Sequence, residues 1–118
     1  MNEKIFKERT KKLAIAILKL VEGMPRSIPA DAITRQIVRS GMSIGANYRA
    51  ACRAKSTADM INKLKIVEEE SDETAYWLEI LSEIGYLPHE KIAPLAKETN
   101  EIVAMTVASI KTLRSRKS

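Results

Sequence analysis

Four stretches of about twenty to thirty residues, each with apolar side chains recurring every three or four positions, dominate this sequence. That spacing lines one face of an α-helix, and nowhere does period-two alternation persist as a strand requires. The first stripe runs through Phe6, Leu13, Ile17, Leu20 and Met24, the second through Ile33, Ile37, Ile44, Tyr48 and Ala51. Met60, Leu64, Val67, Thr74, Leu78 and Leu81 form the third. Ile92, Leu95, Thr99, Ile102, Thr106, Ile110 and Leu113 form the fourth. Three punctuation marks separate them. Gly23 to Pro29 carries a glycine stop and a proline suited to a first helical turn. Ser56 with Asp59 reads as a capping box. Gly85-Tyr86-Leu87-Pro88 pairs another glycine stop with a proline start. Long helices with short connections predict an all-α, antiparallel up-down-up-down four-helix bundle.

With 118 residues there is room for one domain, spanning 1–118. Apolar residues make up 45% and aromatics 4%, so the core must be aliphatic, as in helical bundles. Cys52 is the sole cysteine, which excludes a disulfide within the chain and fits a reducing compartment; it is expected to pack as a small buried hydrophobe. The longest apolar run, Leu13 to Leu18, is too short to span a bilayer, and the charged first twelve residues do not read as a signal peptide. A soluble cytoplasmic protein is expected, with no membrane contact. Two features strain the helical reading. Pro94 predicts a late start or a kink in the fourth helix. Gly41 and Gly45 lie mid-helix at roughly 1 kcal/mol each against alanine. Their expected return is close approach of a neighbouring helix at Ser40, Gly41, Ser43, Gly45 and Ala46, a patch flat enough for a subunit contact.

Chemistry-bearing residues are sparse. One histidine, His89, and one cysteine cannot form a zinc site in one chain, and the paired Glu-x-x-His motifs of di-iron bundles are missing. Neither a glycine-rich phosphate loop nor a nucleophile elbow is present. The reading is of a binding protein, with no catalytic residues, cofactor or metal.

Folding the chain at its three breaks sorts its charge by height. One end gathers Lys4, Lys7, Arg9, Lys11, Lys12, Arg49, Arg53, Lys55, Lys63, Lys65, Lys111, Arg114, Arg116 and Lys117. Fourteen of the twenty cations thus face only Glu3, Glu8 and Asp59, a polarity that the net charge of +5 conceals. Cations at helix C-termini complement the macrodipole, but Lys4 to Lys12 open a helix, where cations are disfavoured. An anion-binding pole is the functional reading, phosphates being the anions in practice, with Lys4, Lys7, Lys11, Arg49, Arg53, Lys55, Lys63, Arg114, Arg116 and Lys117 as its candidate contacts. No base-reading motif or stacking platform is visible, so binding should be largely independent of sequence. The same register sets Arg39, Ser43 and Asn47, one stripe on the second helix, against the acidic stretch Glu69 to Glu73 of the third. A structural polar ladder of Arg39, Ser43, Asn47, Glu70 and Glu73 is expected, and a solvated acidic face is its alternative.

Arg39 to Asn47 and Leu64 to Glu73 carry a family likeness. They resemble the four-helix-bundle proteins encoded in intervening sequences of bacterial large-subunit ribosomal RNA genes. Distant relatives of that family are the accessory variability proteins of diversity-generating retroelements. Arg39, Ser43, Ile44, Asn47, Leu64, Ile66 and Glu73 match the pattern, while Tyr48, Ala50 and Ala51 stand where Ile, Glu and Gly are usual. The resemblance implies a homopentamer with a basic surface for RNA or DNA, and a reverse transcriptase as a further partner. A surplus of apolar positions beside the helical seams, Ile5, Ala14, Leu18, Val38, Met42 and Met105, also points to self-association. Two functions remain open: an oligomeric nucleic-acid-binding accessory protein, or a protein–protein scaffold whose basic end docks an acidic partner.

Overall fold

The structure is a computed structural model that describes residues 2–117, with side chains to residue 116. Four α-helices follow one another: α1 Glu3–Leu20, α2 Ile28–Cys52, α3 Thr57–Ile84 and α4 His89–Lys117, with a short 3₁₀ turn at Val21–Gly23. Each start has a local cause. The Asn2 side chain accepts from the Ile5 amide at 3.2 Å, Ser27 from Ala30 at 3.2 Å and Ser56 from Asp59 at 3.0 Å, so each cap satisfies an otherwise unpaired helical N–H. Asp59 completes its box one residue further out than the motif implies, accepting from the Lys55 amide at 3.4 Å. Gly85 ends α3 in the left-handed conformation, φ 75°, which a residue with a Cβ adopts only under strain.

Of the two expectations at Pro94, a late start or a kink, the late start does not occur: α4 begins at His89 and runs through Pro94. Pro94 and Glu90 are both exposed, so water can reach the Glu90 carbonyl that the proline leaves without its i+4 donor.

The bundle measures 50 × 22 × 20 Å, with α3 packed along α2 and α4. Its core holds the aliphatic stripes read from the sequence, together with Ala30, Ile61 and Leu87. Met24, Ile33, Met60, Leu95 and Leu113 flank that core, half-buried. Six hydroxyl residues lie among the core side chains, and each bonds within its own helix. Thr10 donates to the Phe6 carbonyl at 3.0 Å, Ser71 to Val67 at 2.7 Å and Thr106 to Ile102 at 2.7 Å, removing the penalty of burial. Thr74 also reaches across to Ser40 at 2.9 Å, tying α3 to α2.

The glycine pair faces inward. A Cβ on Gly41 would sit 2.6 Å from Ile17 Cδ1, and one on Gly45 would sit 3.2 Å from Thr10 Oγ1. The small-residue patch therefore lets α1 approach α2 within one chain, and of its five members only Ala46 is exposed. Two of the apolar surplus positions, Val38 and Met105, also pack against the chain's own core. Ile5, Leu18 and Met42 do not, being 50%, 42% and 49% exposed.

Candidate nucleic-acid interface

Lys4, Lys7 and Lys11 recur at helical spacing on one face of α1, and antiparallel packing sets that face beside the end of α2. There the three lysines and Arg49 line one open groove of about 740 Å³ with an apolar floor of Ala14, Met42, Gly45 and Ala46. Glu3 and Glu8 also border it. Glu3 pairs with Lys7 at 3.3 Å, and its carboxyl is held below the ordinary value, first by the Cys52 thiol and then by Lys7. Four cations and two carboxylates from two helices thus border a channel that solvent reaches, with the positive charge in excess.

The remaining candidates occupy the same end without sharing that groove. Arg53 and Lys55 are exposed around the α2–α3 turn, Lys63 is half-buried on α3, and Arg114 and Arg116 are exposed on the last turns of α4. Lys117 closes α4, and its side chain lies outside the described residues. Arg116 borders a second pocket at this end with Glu3, Tyr48 and Cys52. Cys52 is half-buried rather than enclosed as expected, because α2 ends there and the bundle opens. Burial, and then the Glu3 carboxylate, push its thiol pKa up, which keeps it protonated and weakly nucleophilic at neutral pH.

One cation assigned to the pole is already occupied. Arg9 donates through Nη2 to Glu101 at 2.9 Å and through Nε to Glu98 at 2.9 Å, and its Nη1 lies 3.2 Å from Met105 Sδ. Two α4 carboxylates thus neutralise it. The register places Arg9 near position 105, one helical turn from Glu101 on α4, so this contact follows from the same heights that set Arg39 beside Glu73.

On that seam, Arg39 donates to Glu70 at 3.1 Å and to Glu73, and Glu73 also accepts from Trp77 Nε1 at 3.0 Å. Ser43 and Asn47 do not extend the ladder across the seam. The Asn47 amide donates to the Ser43 carbonyl at 2.9 Å and to its hydroxyl at 2.8 Å, within α2, because four residues along one helix is the shorter reach.

The two arginine clusters differ in exposure, 49% for the Arg39 side chain and 29% for Arg9. Screening falls with burial, so Arg9→Ala is expected to cost about 1.5 kcal/mol while Arg39→Ala leaves the denaturant midpoint nearly unchanged. Equal shifts for the two variants would refute the ranking. A pH effect follows from Glu98, whose carboxyl Arg9 holds below the ordinary value. A lowered folded-state pKa contributes stability above the unfolded pKa that is lost as pH falls through the folded one. Stability is thus expected to decline below about pH 4.5, the ordinary carboxyl value, and Glu98→Gln to flatten that acid limb in urea titrations.

Among the described residues no group of three or more His, Cys, Asp and Glu side chains could hold a metal ion. Nor, among the described residues, is any helix long and apolar enough to cross a membrane. His89 bonds Ser82 at 3.0 Å at the α3–α4 turn, the end of the bundle away from Cys52.

Residues 2–108 match the family described as 23S rRNA-intervening sequence protein. A crystal structure of a protein of unknown function from the S23 ribosomal protein family of Bacteroides thetaiotaomicron is 36% identical in sequence. It superposes with a TM-score of 0.86, covering 94% of this chain and 99% of that one. No curated protein matches.

Proposed function

The chain belongs to the family of 23S rRNA-intervening sequence proteins, and on that premise we propose that it is an oligomeric accessory protein that binds nucleic acid through its basic pole, largely independently of sequence. The observation that supports this most is the convergence of Lys4, Lys7, Lys11 and Arg49 on one open groove. Neutralising a phosphate releases condensed counterions, so a row of cations gains affinity without reading any base. His89 and Cys52 sit at opposite ends of the bundle, so the one histidine and the one cysteine do not meet, which favours an accessory role over an enzymatic one. A chain with one cysteine and no disulfide suits the cytoplasm.

Self-association draws support from Ile5, Leu18 and Met42, and from Ile15 and Val107, each 44% exposed. Five subunits follow from the family likeness alone. Light scattering at micromolar concentration is expected to return a multiple of 13.2 kDa, and a lone 13.2 kDa particle would remove the oligomer from the proposal. The nucleic-acid reading is tested by displacement of a labelled RNA strand with unrelated RNA and duplex DNA. Displacement by both at similar concentrations is expected. Failure to bind either near 50 mM salt would leave a scaffold for an acidic protein in its place.

A further inference from the structure

All four helices contribute to a second pocket at the basic end, about 380 Å³ in volume and open to solvent. Its walls are the aliphatic side chains of Met60, Leu64 and Leu113, and Glu3 and Arg116 stand on its lining with opposite charges. We infer that this pocket receives an unpaired guanine base from a single strand whose phosphates lie on the basic pole. The inference rests on the proposed function and adds a base preference to a backbone contact that has none.

Glu3 takes a hydrogen bond from the Cys52 thiol and pairs with Lys7 at 3.3 Å. Because it is exposed, its carboxylate keeps lone pairs open to a further donor on the strand. Glu3 borders both the lysine groove and the pocket, so a strand in the groove passes it. An exposed glutamate is ionised at neutral pH, and an ionised carboxylate only accepts hydrogen bonds. Guanine alone among the common bases presents two adjacent donors, N1–H and the 2-amino group, on its Watson–Crick edge. Adenine and cytosine place a ring acceptor beside their amino group, and uracil flanks N3–H with two carbonyls, so each would set lone pairs against the carboxylate. The aliphatic walls suit the faces of a flat ring, and Arg116 is placed for the phosphate of the same nucleotide. Tyr48 provides no stacking face here, since its ring already lies on Phe6 at 3.9 Å. Selectivity would therefore come from the base edge. As the first-turn acid of α1, Glu3 also complements the helix dipole, and the experiment has to separate that role.

Affinity for a short oligouridine strand is compared, by fluorescence anisotropy on the full chain, with that for the same strand carrying one central guanosine, inosine or adenosine. The guanosine strand is expected to bind roughly tenfold tighter than oligouridine or the adenosine strand, with inosine between, because it lacks the 2-amino donor. Glu3→Gln is expected to abolish the preference while oligouridine binding holds or strengthens, since a negative charge has left the phosphate surface. Ala108→Phe, which fills the pocket from an exposed position, is expected to abolish the preference without altering charge. Circular dichroism melts establish that both variants fold. Equal wild-type affinity for all strands, or Glu3→Gln tightening every strand alike, overturns the guanine pocket and leaves the basic pole standing. No binding of any strand near 50 mM salt overturns both.

Discussion

Replacing Arg49, Arg53 and Lys55 by alanine is expected to weaken binding of a single RNA strand roughly a hundredfold near 0.1 M salt. Each phosphate neutralised on a single strand adds about 0.7 to the slope of log affinity against log salt, so three contacts account for about 2. At one log unit below molar salt, that slope corresponds to about two log units of affinity. The three side chains come from one segment, the end of α2 and its turn into α3, where Arg49 borders the lysine groove and the other two are exposed beyond it. The loss should be alike on unrelated sequences, because no base is touched. Lys91→Ala with Lys97→Ala, on the first turns of α4 at the opposite end, is the control and should change affinity little. Cations at a helix C-terminus also complement its dipole, so melting curves of both variants come first. Equal losses from the two ends would mean diffuse attraction to a basic molecule with no defined pole.

That the candidate cations share one end of the bundle is legible in the sequence because height along the bundle depends only on where the chain turns. Gly23 to Pro29, Ser56 and Gly85-Tyr86-Leu87-Pro88 announce those turns through local backbone chemistry, and each helix boundary lies within a few residues of them. The Arg39 contact with Glu70 and Glu73 is legible for the same reason. Direction around the helix axis is what height does not give. Arg9 has the right height for the pole and turns to α4, whereas Gly41 and Gly45 meet the expected close approach of a neighbouring helix, which is α1 at Ile17 and Thr10. Of the late start or kink expected at Pro94 the late start does not occur, because the Glu90 carbonyl that the proline frees lies exposed in the first turn of α4, where water can bond it. Thr10, Ser40 and Ser71 fall outside the stripes, which already held three hydroxyl residues, Thr74, Thr99 and Thr106. The i−4 or i−3 carbonyl that each one bonds makes it a core residue in practice. The guanine pocket had no linear signature at all, since its lining is drawn from four helices.

Phe6→Ala is expected to be the most damaging single truncation at the basic end, costing about 3–5 kcal/mol in a fold whose total stability is of order 5–15 kcal/mol. Phe6 is fully buried, and its ring stacks on Tyr48 at 3.9 Å between centroids with the planes 5° apart. It is also the only phenylalanine in a core that is otherwise mostly aliphatic, and its removal leaves the Tyr48 ring without its stacking partner beside a cavity. Phe6→Leu keeps most of the volume and is expected to cost less than about 1.5 kcal/mol beyond the lost ring stacking. Denaturant midpoints at one fixed protein concentration measure both, since self-association would otherwise shift them. The consequence for function follows from position. Phe6 lies between Lys4 and Lys7, and the ring pair is what holds the first turns of α1 against the end of α2. At a temperature where Phe6→Ala is still folded, those lysines should no longer converge with Arg49, and the slope of log affinity against log salt should flatten by more than a buried, uncharged side chain could cause directly. An unchanged slope in a folded Phe6→Ala protein would mean that the lysines bind without the geometry of the groove.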